Sequence, residues 1–209
     1  MCESFDTMSA IVLAGGKGRR FRGQKQFALL DGTPLWEIVR NKVAQVLKSD
    51  HIVVVGVDVP GGETRTQSVI HGMRALRAET TRVIVLEAAR PLVRMDQIRE
   101  LLCAPEPSVS FVLPLVNTVI RRTGEYLNRN ELYELLTPQA FDYGKLMQAL
   151  NSGRFTDMTD ETRVMYEYWN IPPRLIETTE NLIKVTYQRD LSIVERLLEE
   201  EKSQKGESI

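Results

Sequence analysis

Apolar residues gather along this chain in short β-branched runs, separated by longer stretches in which they recur at helical spacing. Residues 9–14 (SAIVLA) form a continuous apolar run ended by glycine, which reads as a buried strand. A helix is expected over 34–47, with a proline near its start. The stretch 51–57 (HIVVVGV) is the clearest strand, and 65–76 places Val69, Met73 and Leu76 on one helical face. Strand, helix and strand follow at 82–86, 95–102 and 108–113. Short strands alternating with helices predict a mostly parallel sheet covered by helices on both faces. The pattern then breaks. TVIRRTGEYLNR, at 118–129, reads as a hairpin with Gly124 at its turn. Helices over 141–150 and 160–168, a strand over 174–178 and a terminal helix over 190–201 complete the chain. With no internal repeat and no low-complexity linker, this is one α/β domain over 1–202. A hairpin arm protrudes at about 117–130, and the polar tail 203–209 is expected to fray.

Composition narrows the function. The chain has 209 residues, 43% hydrophobic and 26% charged, with a formal net charge of −1. That balance excludes the broad basic field on which general nucleic-acid and membrane-surface binders depend, so neither partner is expected. The two cysteines, Cys2 and Cys103, give neither a disulfide framework nor metal-ligand spacing. A reducing, cytoplasmic setting is the simplest expectation. No apolar run reaches membrane-spanning length, and MCESFDTMSA lacks the pattern of a secretory leader. His51 and His71 have no ligand-spaced partner and read as packing residues.

Against that neutral background one stretch stands out. IVLAGGKGRRFRGQKQF, at 11–27, follows an apolar run with a glycine cluster and five cations: Lys17, Arg19, Arg20, Arg22 and Lys25. In open α/β sheets, ligands bind beyond the carboxyl ends of the strands. Glycines there let backbone N–H groups approach phosphate oxygens. Two familiar phosphate loops do not fit. The dinucleotide fingerprint needs a third glycine where Phe21 stands, and the Walker loop needs lysine where Gln24 stands. The plain alternative, a glycine turn with solvated cations, is weakened because the cations cluster at one predicted strand end.

A different template does fit. LAGGKGRRF followed by QKQF resembles the nucleotidyltransferase opening A-G-x-G-x-R-M with P-K-Q-[YF] after it. GGETRTQSV, LEAARPLV, LLTPQAF, TDETRVMYE and NLIKVT are similar, in the same order, to G-G-x-x-R-x-x-S-V, H-D-A-A-R-P-x-V, T-P-Q-x-F, T-D-x-x-x-x-x-E and N-I-K-[VI]-T. On these motifs the chain resembles the cytidylyltransferases of polyol phosphates, whose best-known members make 4-diphosphocytidyl-2-C-methylerythritol, in isoprenoid biosynthesis, or CDP-ribitol. The resemblance spans about residues 9–198.

What it implies is specific. The fold would be a Rossmann-like nucleotidyltransferase domain, and the reaction attack of a substrate phosphate on the α-phosphorus of CTP, expelling pyrophosphate. Methylerythritol phosphate is favoured as the second substrate, with ribitol phosphate next. Arg20, Lys25 and Lys184 would be catalytic cations. Ala14, Gly15, Gly16, Gly18, Gly62, Glu63, Ser68 and Ala88 would bind the nucleotide. Arg90, Thr118, Arg129 and Thr159 would bind the polyol phosphate, and Glu87 would hold Mg²⁺. The family dimerises by extending the arm over a neighbour, so a homodimer lending Arg129 across the interface is implied.

Plainer roles stand beside these. Glu63 or Thr64 could simply cap the helix at 65, Lys184 could be a solvated charge, and Arg129 could oppose Glu131 or Glu134. Departures from the family pattern also matter. Glu87 stands for the family's aspartate and could instead pair with Arg90, Leu86 replaces a histidine, and Gln24 replaces a proline. The step from Val57 to Gly61 omits a helix and strand that the family normally has, and the hairpin is short. A homologue that binds a nucleotide or a partner without turnover is therefore the alternative function.

Overall fold

The protein is described by a computed structural model over residues 4–178 and 182–206. Strand β1 (Met8–Leu13) runs into a long loop, which ends in a ribbon of β2 (Leu29–Leu30) and β3 (Thr33–Pro34). Then come α1 (Leu35–Val43), β4 (Ile52–Val55), α2 (Arg65–Ala75), β5 (Arg82–Glu87), α3 (Met95–Cys103) and β6 (Ser108–Pro114). The arm is a hairpin of β7 (Val119–Ile120) and β8 (Tyr126–Leu127), in which Val119 faces Leu127 and Gly124 takes a positive φ. Strand β9 (Tyr133–Asp142), α4 (Tyr143–Asn151), α5 (Glu161–Trp169), β10 (Arg174–Glu177) and α6 (Arg189–Gly206) follow.

The main sheet has the order β10-β6-β9-β5-β1-β4, and β9 alone runs antiparallel to its neighbours. Both faces are covered, which is why β1 and β5 read as unbroken apolar runs. Ala10, Val12, Ile84 and Leu86 point toward α1 and α3. Ile11, Val83 and Val85 point the other way, packing with Val69 and Met73 of α2 and with Leu146 and Val164 of α4 and α5. Among the described residues no helix is long and apolar enough to cross a membrane.

Several boundaries differ from the sequence pattern. The helix expected over 34–47 unwinds after Val43, although Val46 and Leu47 still pack on the core as turns. The helix expected from 141 starts at Tyr143, with the Asp142 side chain accepting from the Lys145 N–H at 2.8 Å. The segment before it, including LLTPQAF, is the ten-residue strand β9, which the pattern does not announce. Two of its polar side chains are bonded inside the protein: Thr137 Oγ1 accepts from Arg90, and Gln139 Nε2 donates to the Leu136 carbonyl and to Asp160. A register shift opposite Ser110 and Val112 takes up Pro138, which has no N–H for the ladder. The terminal helix continues to Gly206, past the expected end at 201; residues 207–209 of the expected tail lie outside the described residues.

Candidate active site

A cleft of about 260 Å³ opens beyond the carboxyl ends of β1 and β5, facing the start of α2. Its backbone side is the loop leaving β1, where Ala14, Gly15, Gly16 and Lys17 line the cleft. The Ala14 N–H donates to the Val55 carbonyl at 2.8 Å, which seats the loop against β4. Farther on, the loop closes on itself at Gly18 (φ +57°), where an added Cβ would fall 1.8 Å from the Gly23 carbonyl oxygen. Only glycine fits that turn.

The opposite wall is the turn before α2. Thr64 is the cap: its side chain accepts from the Gln67 N–H at 3.2 Å, while Gln67 reaches back to the backbone N–H groups of Glu63 and Thr64. Of the two residues that could have capped this helix, Glu63 is thus left facing the cleft. Ser68 Oγ accepts from the Gly62 N–H and donates to the Thr64 carbonyl, both at 3.0 Å. Its hydroxyl therefore holds the turn that presents Gly62. That turn is tight, since a Cβ on Gly62 would lie 2.3 Å from Gln67 Cβ.

The floor carries charge. Nζ of Lys184 lies 2.5 Å from Oε2 of Glu87, and Nη2 of Arg65 lies 4.0 Å from the other carboxylate oxygen. Nη1 of Arg65 is paired with buried Glu161. Burial pushes the Glu87 carboxyl up, but Lys184 and Arg65 outweigh it and hold its pKa below the ordinary value. Burial likewise works against the Arg65 charge and is overcome by Glu161 and Glu87. Lys25 lies beside them, donating to the Val185 carbonyl at 3.0 Å. Its pKa is lowered, first by burial and then by the charge of Lys184. Arg90 does not form the ion pair that would have explained Glu87 structurally. Its Nε donates to Thr137 Oγ1 at 2.9 Å and its Nη1 to the Leu182 carbonyl, while burial lowers its pKa.

The cleft thus brings together Ala14, Gly15, Gly16, Lys25, Gly62, Glu63, Ser68, Glu87, Ala88 and Lys184. The other candidates lie elsewhere. Gly18 shapes the loop from outside the lining. Arg20 is exposed, in a neighbouring hollow with Arg22 and Arg189. Arg90 is buried, and Thr159 is exposed just before Asp160, the cap of α5. Thr118 and Arg129 belong to the exposed arm, where Nη1 of Arg129 donates to the Val116 carbonyl. Two further cations, Lys17 and Arg65, also line the cleft. Lys17 belongs to the charge cluster of 11–27 and Arg65 to GGETRTQSV, so each carries a signal in the sequence. Glu161 carried no signal, because a glutamate in the first turn of a helix is ordinarily a solvated charge.

Among the described residues no group of three or more histidine, cysteine or acidic side chains is arranged to hold a metal ion. A Mg²⁺ ion carried by a nucleotide needs less, one or two carboxylates with the rest of its shell from phosphates and water. Glu87, ionised and lining the cleft, fits that requirement.

A cleft at the strand ends of a mixed α/β sheet, walled by a glycine loop and floored by lysines, defines a nucleotide-binding enzyme domain of the nucleotidyltransferase type. Residues 8–200 match the family model described as IspD, 2-C-methyl-D-erythritol 4-phosphate cytidylyltransferase, and the chain belongs to that family of enzymes. It is 31% identical to the 2-C-methyl-D-erythritol 4-phosphate cytidylyltransferase of Rhodopirellula baltica, over 95% of this chain and 97% of that one. It is 32% identical to the enzyme of the same name from Chromobacterium violaceum, over 91% and 97%. The fold is similar to the crystal structure of 4-diphosphocytidyl-2C-methyl-D-erythritol synthase from Anaerococcus prevotii, with TM-score 0.78 and 22% identity, covering 94% of this chain and all of that one. A 2-C-methyl-D-erythritol 4-phosphate cytidylyltransferase from Thermus thermophilus gives TM-score 0.75 at 23% identity, covering 90% and 97%.

Proposed function

We propose that this cytidylyltransferase joins CMP from CTP to 2-C-methyl-D-erythritol 4-phosphate, a step of isoprenoid biosynthesis. The observation that carries the reading is the cleft itself, where backbone, Lys25, Lys184 and Glu87 converge on a space facing Gly62, Glu63 and Ser68. An oxygen of the substrate phosphate attacks the α-phosphorus. The bond from that phosphorus to the bridging oxygen breaks, and pyrophosphate leaves with the electron pair. No covalent enzyme intermediate is needed, so the protein positions and neutralises. Lys25 and Lys184 take the charge gathering at the phosphorus, Arg20 from the neighbouring hollow serves the outer phosphates, and Gly15, Gly16 and Gly18 let the loop wrap them. Gly62 and Glu63 meet cytosine and ribose, with Ser68 holding that turn, and Ala88 flanks the nucleotide. Mg²⁺ held by Glu87 would screen the triphosphate charge. Thr159 and Arg90, with Thr118 and Arg129 from a neighbour's arm, serve the polyol phosphate. The arm's exposed apolar side chains support that homodimer: Tyr126 is 77% exposed and Val116, at its base, 81%.

The test is pyrophosphate release with each of the four nucleoside triphosphates against methylerythritol phosphate, ribitol phosphate and other polyol phosphates. Turnover is expected with CTP and methylerythritol phosphate. Turnover only with ribitol phosphate would replace the substrate, and tight CTP binding with no turnover would make the chain a binding homologue.

A further inference from the structure

Arg65 stands between two carboxylates from different parts of the fold. Nη1 pairs with Glu161 at the first turn of α5, and Nη2 is directed to within 4.0 Å of Oε1 of Glu87 at the end of β5. Nη2 is buried and makes no hydrogen bond among the described residues, so its orientation serves Glu87 electrostatically. The other oxygen of Glu87 belongs to Lys184. Lys184 has a competing task once a triphosphate arrives, whereas Arg65 is locked by Glu161, which is 1% exposed. Neighbouring contacts make the same junction. Thr64 Oγ1 donates to the Thr156 carbonyl, and the Met158 N–H donates to Thr66 Oγ1, each at 2.8 Å. The start of α2, which forms one wall of the cleft, is thereby fastened to the loop that carries Thr159.

We propose that Arg65 is a positioning residue for cytidylyl transfer: anchored by Glu161, it fixes the Glu87 carboxylate when Lys184 turns to the phosphates, and ties that carboxylate to the loop of Thr159. The inference rests on the cytidylyltransferase reading. An isolated buried pair would be expected to matter only for stability, and replacing both members by neutral side chains is often tolerated. Here the same guanidinium also faces the cleft, so stability and turnover separate.

The experiment compares Glu161→Gln, Arg65→Gln, the double variant and Arg65→Lys with wild type by thermal melting, steady-state kinetics and Mn²⁺ binding in the presence of CTP. Each Gln single variant takes the charged partner from a buried side chain and should lose both melting temperature and turnover. The double variant should regain most of the melting temperature, yet keep kcat about 100-fold low and bind Mn²⁺ about tenfold more weakly. Arg65→Lys keeps a cation for Glu161 but lacks the second nitrogen facing Glu87. It should melt close to wild type, with kcat at least about tenfold down and the KM for CTP within about twofold. Recovery of turnover and Mn²⁺ affinity along with the melting temperature in the double variant would overturn the proposal, as would wild-type kcat in Arg65→Lys. A wild type inactive on every polyol phosphate would sink the cytidylyltransferase reading instead, and the Mn²⁺ measurement would still decide the role of Arg65.

Discussion

Nζ of Lys184 and Oε2 of Glu87 meet at 2.5 Å on the floor of the cleft, so a cation and a carboxylate proposed for the same phosphates neutralise one another. A triphosphate bound as proposed has to part them. Glu87→Gln releases Lys184 and removes a negative charge, so CTP should bind more tightly without metal, by about tenfold in calorimetry. Turnover should nevertheless fall by at least about 100-fold, and added Mg²⁺ should no longer stimulate it. Equal CTP affinity and intact Mg²⁺ stimulation would remove Glu87 from the phosphate chemistry.

Lys25 gives a prediction in pH. Burial and the neighbouring charge of Lys184 lower its pKa below the ordinary lysine value. Across the window between the folded and unfolded pKa values, the unfolded chain holds the extra proton, so this group's contribution to stability rises with pH. In its proposed role its contribution to catalysis would run the other way, because the lost proton would be the charge that meets the phosphates. kcat/KM for CTP should therefore fall on an alkaline limb below the ordinary lysine pKa. Lys25→Arg, which retains its charge, should move that limb up by about one pH unit or more. An alkaline limb unchanged in Lys25→Arg would assign it to another group.

Much of this was legible in the chain, and the exceptions have physical reasons. Continuous apolar runs betrayed β1, β4, β5 and β6 because both faces of the sheet are buried. Strand β9 stayed hidden because Thr137 and Gln139 are buried polar residues, whose bonds to Arg90 and Asp160 come from other parts of the chain. The loop and turn walls of the cleft were readable from their glycines. The pairing on its floor was not, because Glu87, Arg65, Glu161 and Lys184 meet only through the tertiary fold. The arm itself was plain from Gly124, at the turn between β7 and β8.

The turn before α2 should be intolerant of one methyl group. A Cβ at Gly62 would lie 2.3 Å from Gln67 Cβ and 2.9 Å from the Ser68 nitrogen, so Gly62→Ala must displace the capping box. The expected loss is about 1–3 kcal/mol of stability in denaturant unfolding, with a raised KM for CTP. Gly16→Ala is the contrast, since nothing lies within 4 Å of its added Cβ. It should leave stability unchanged within about 0.5 kcal/mol. A harmless Gly62→Ala would mean that the turn rearranges at little cost.

The last prediction concerns the arm. Arg129 does not line the cleft of its own chain, and its guanidinium folds back on the Val116 carbonyl at the arm's base. A phosphomonoester is best met by an arginine, which can offer two parallel N–H donors. If Arg129 is that arginine, it must act on a neighbour's cleft. Arg129→Ala should then raise the KM for the polyol phosphate and lower kcat, leaving CTP binding untouched, whereas Lys25→Ala should disable the cleft of its own chain. Mixing the two inactive variants should restore activity. In a mixed dimer the Arg129→Ala chain keeps its Lys25 and receives Arg129 from its partner, giving one complete site. Random exchange places half of the chains in mixed dimers, so recovery should approach about one quarter of wild type. The arm is short, so activity per chain should also fall on dilution as the dimer dissociates. Proven subunit exchange without recovery would confine Arg129 to the pairing seen at the base of its own arm.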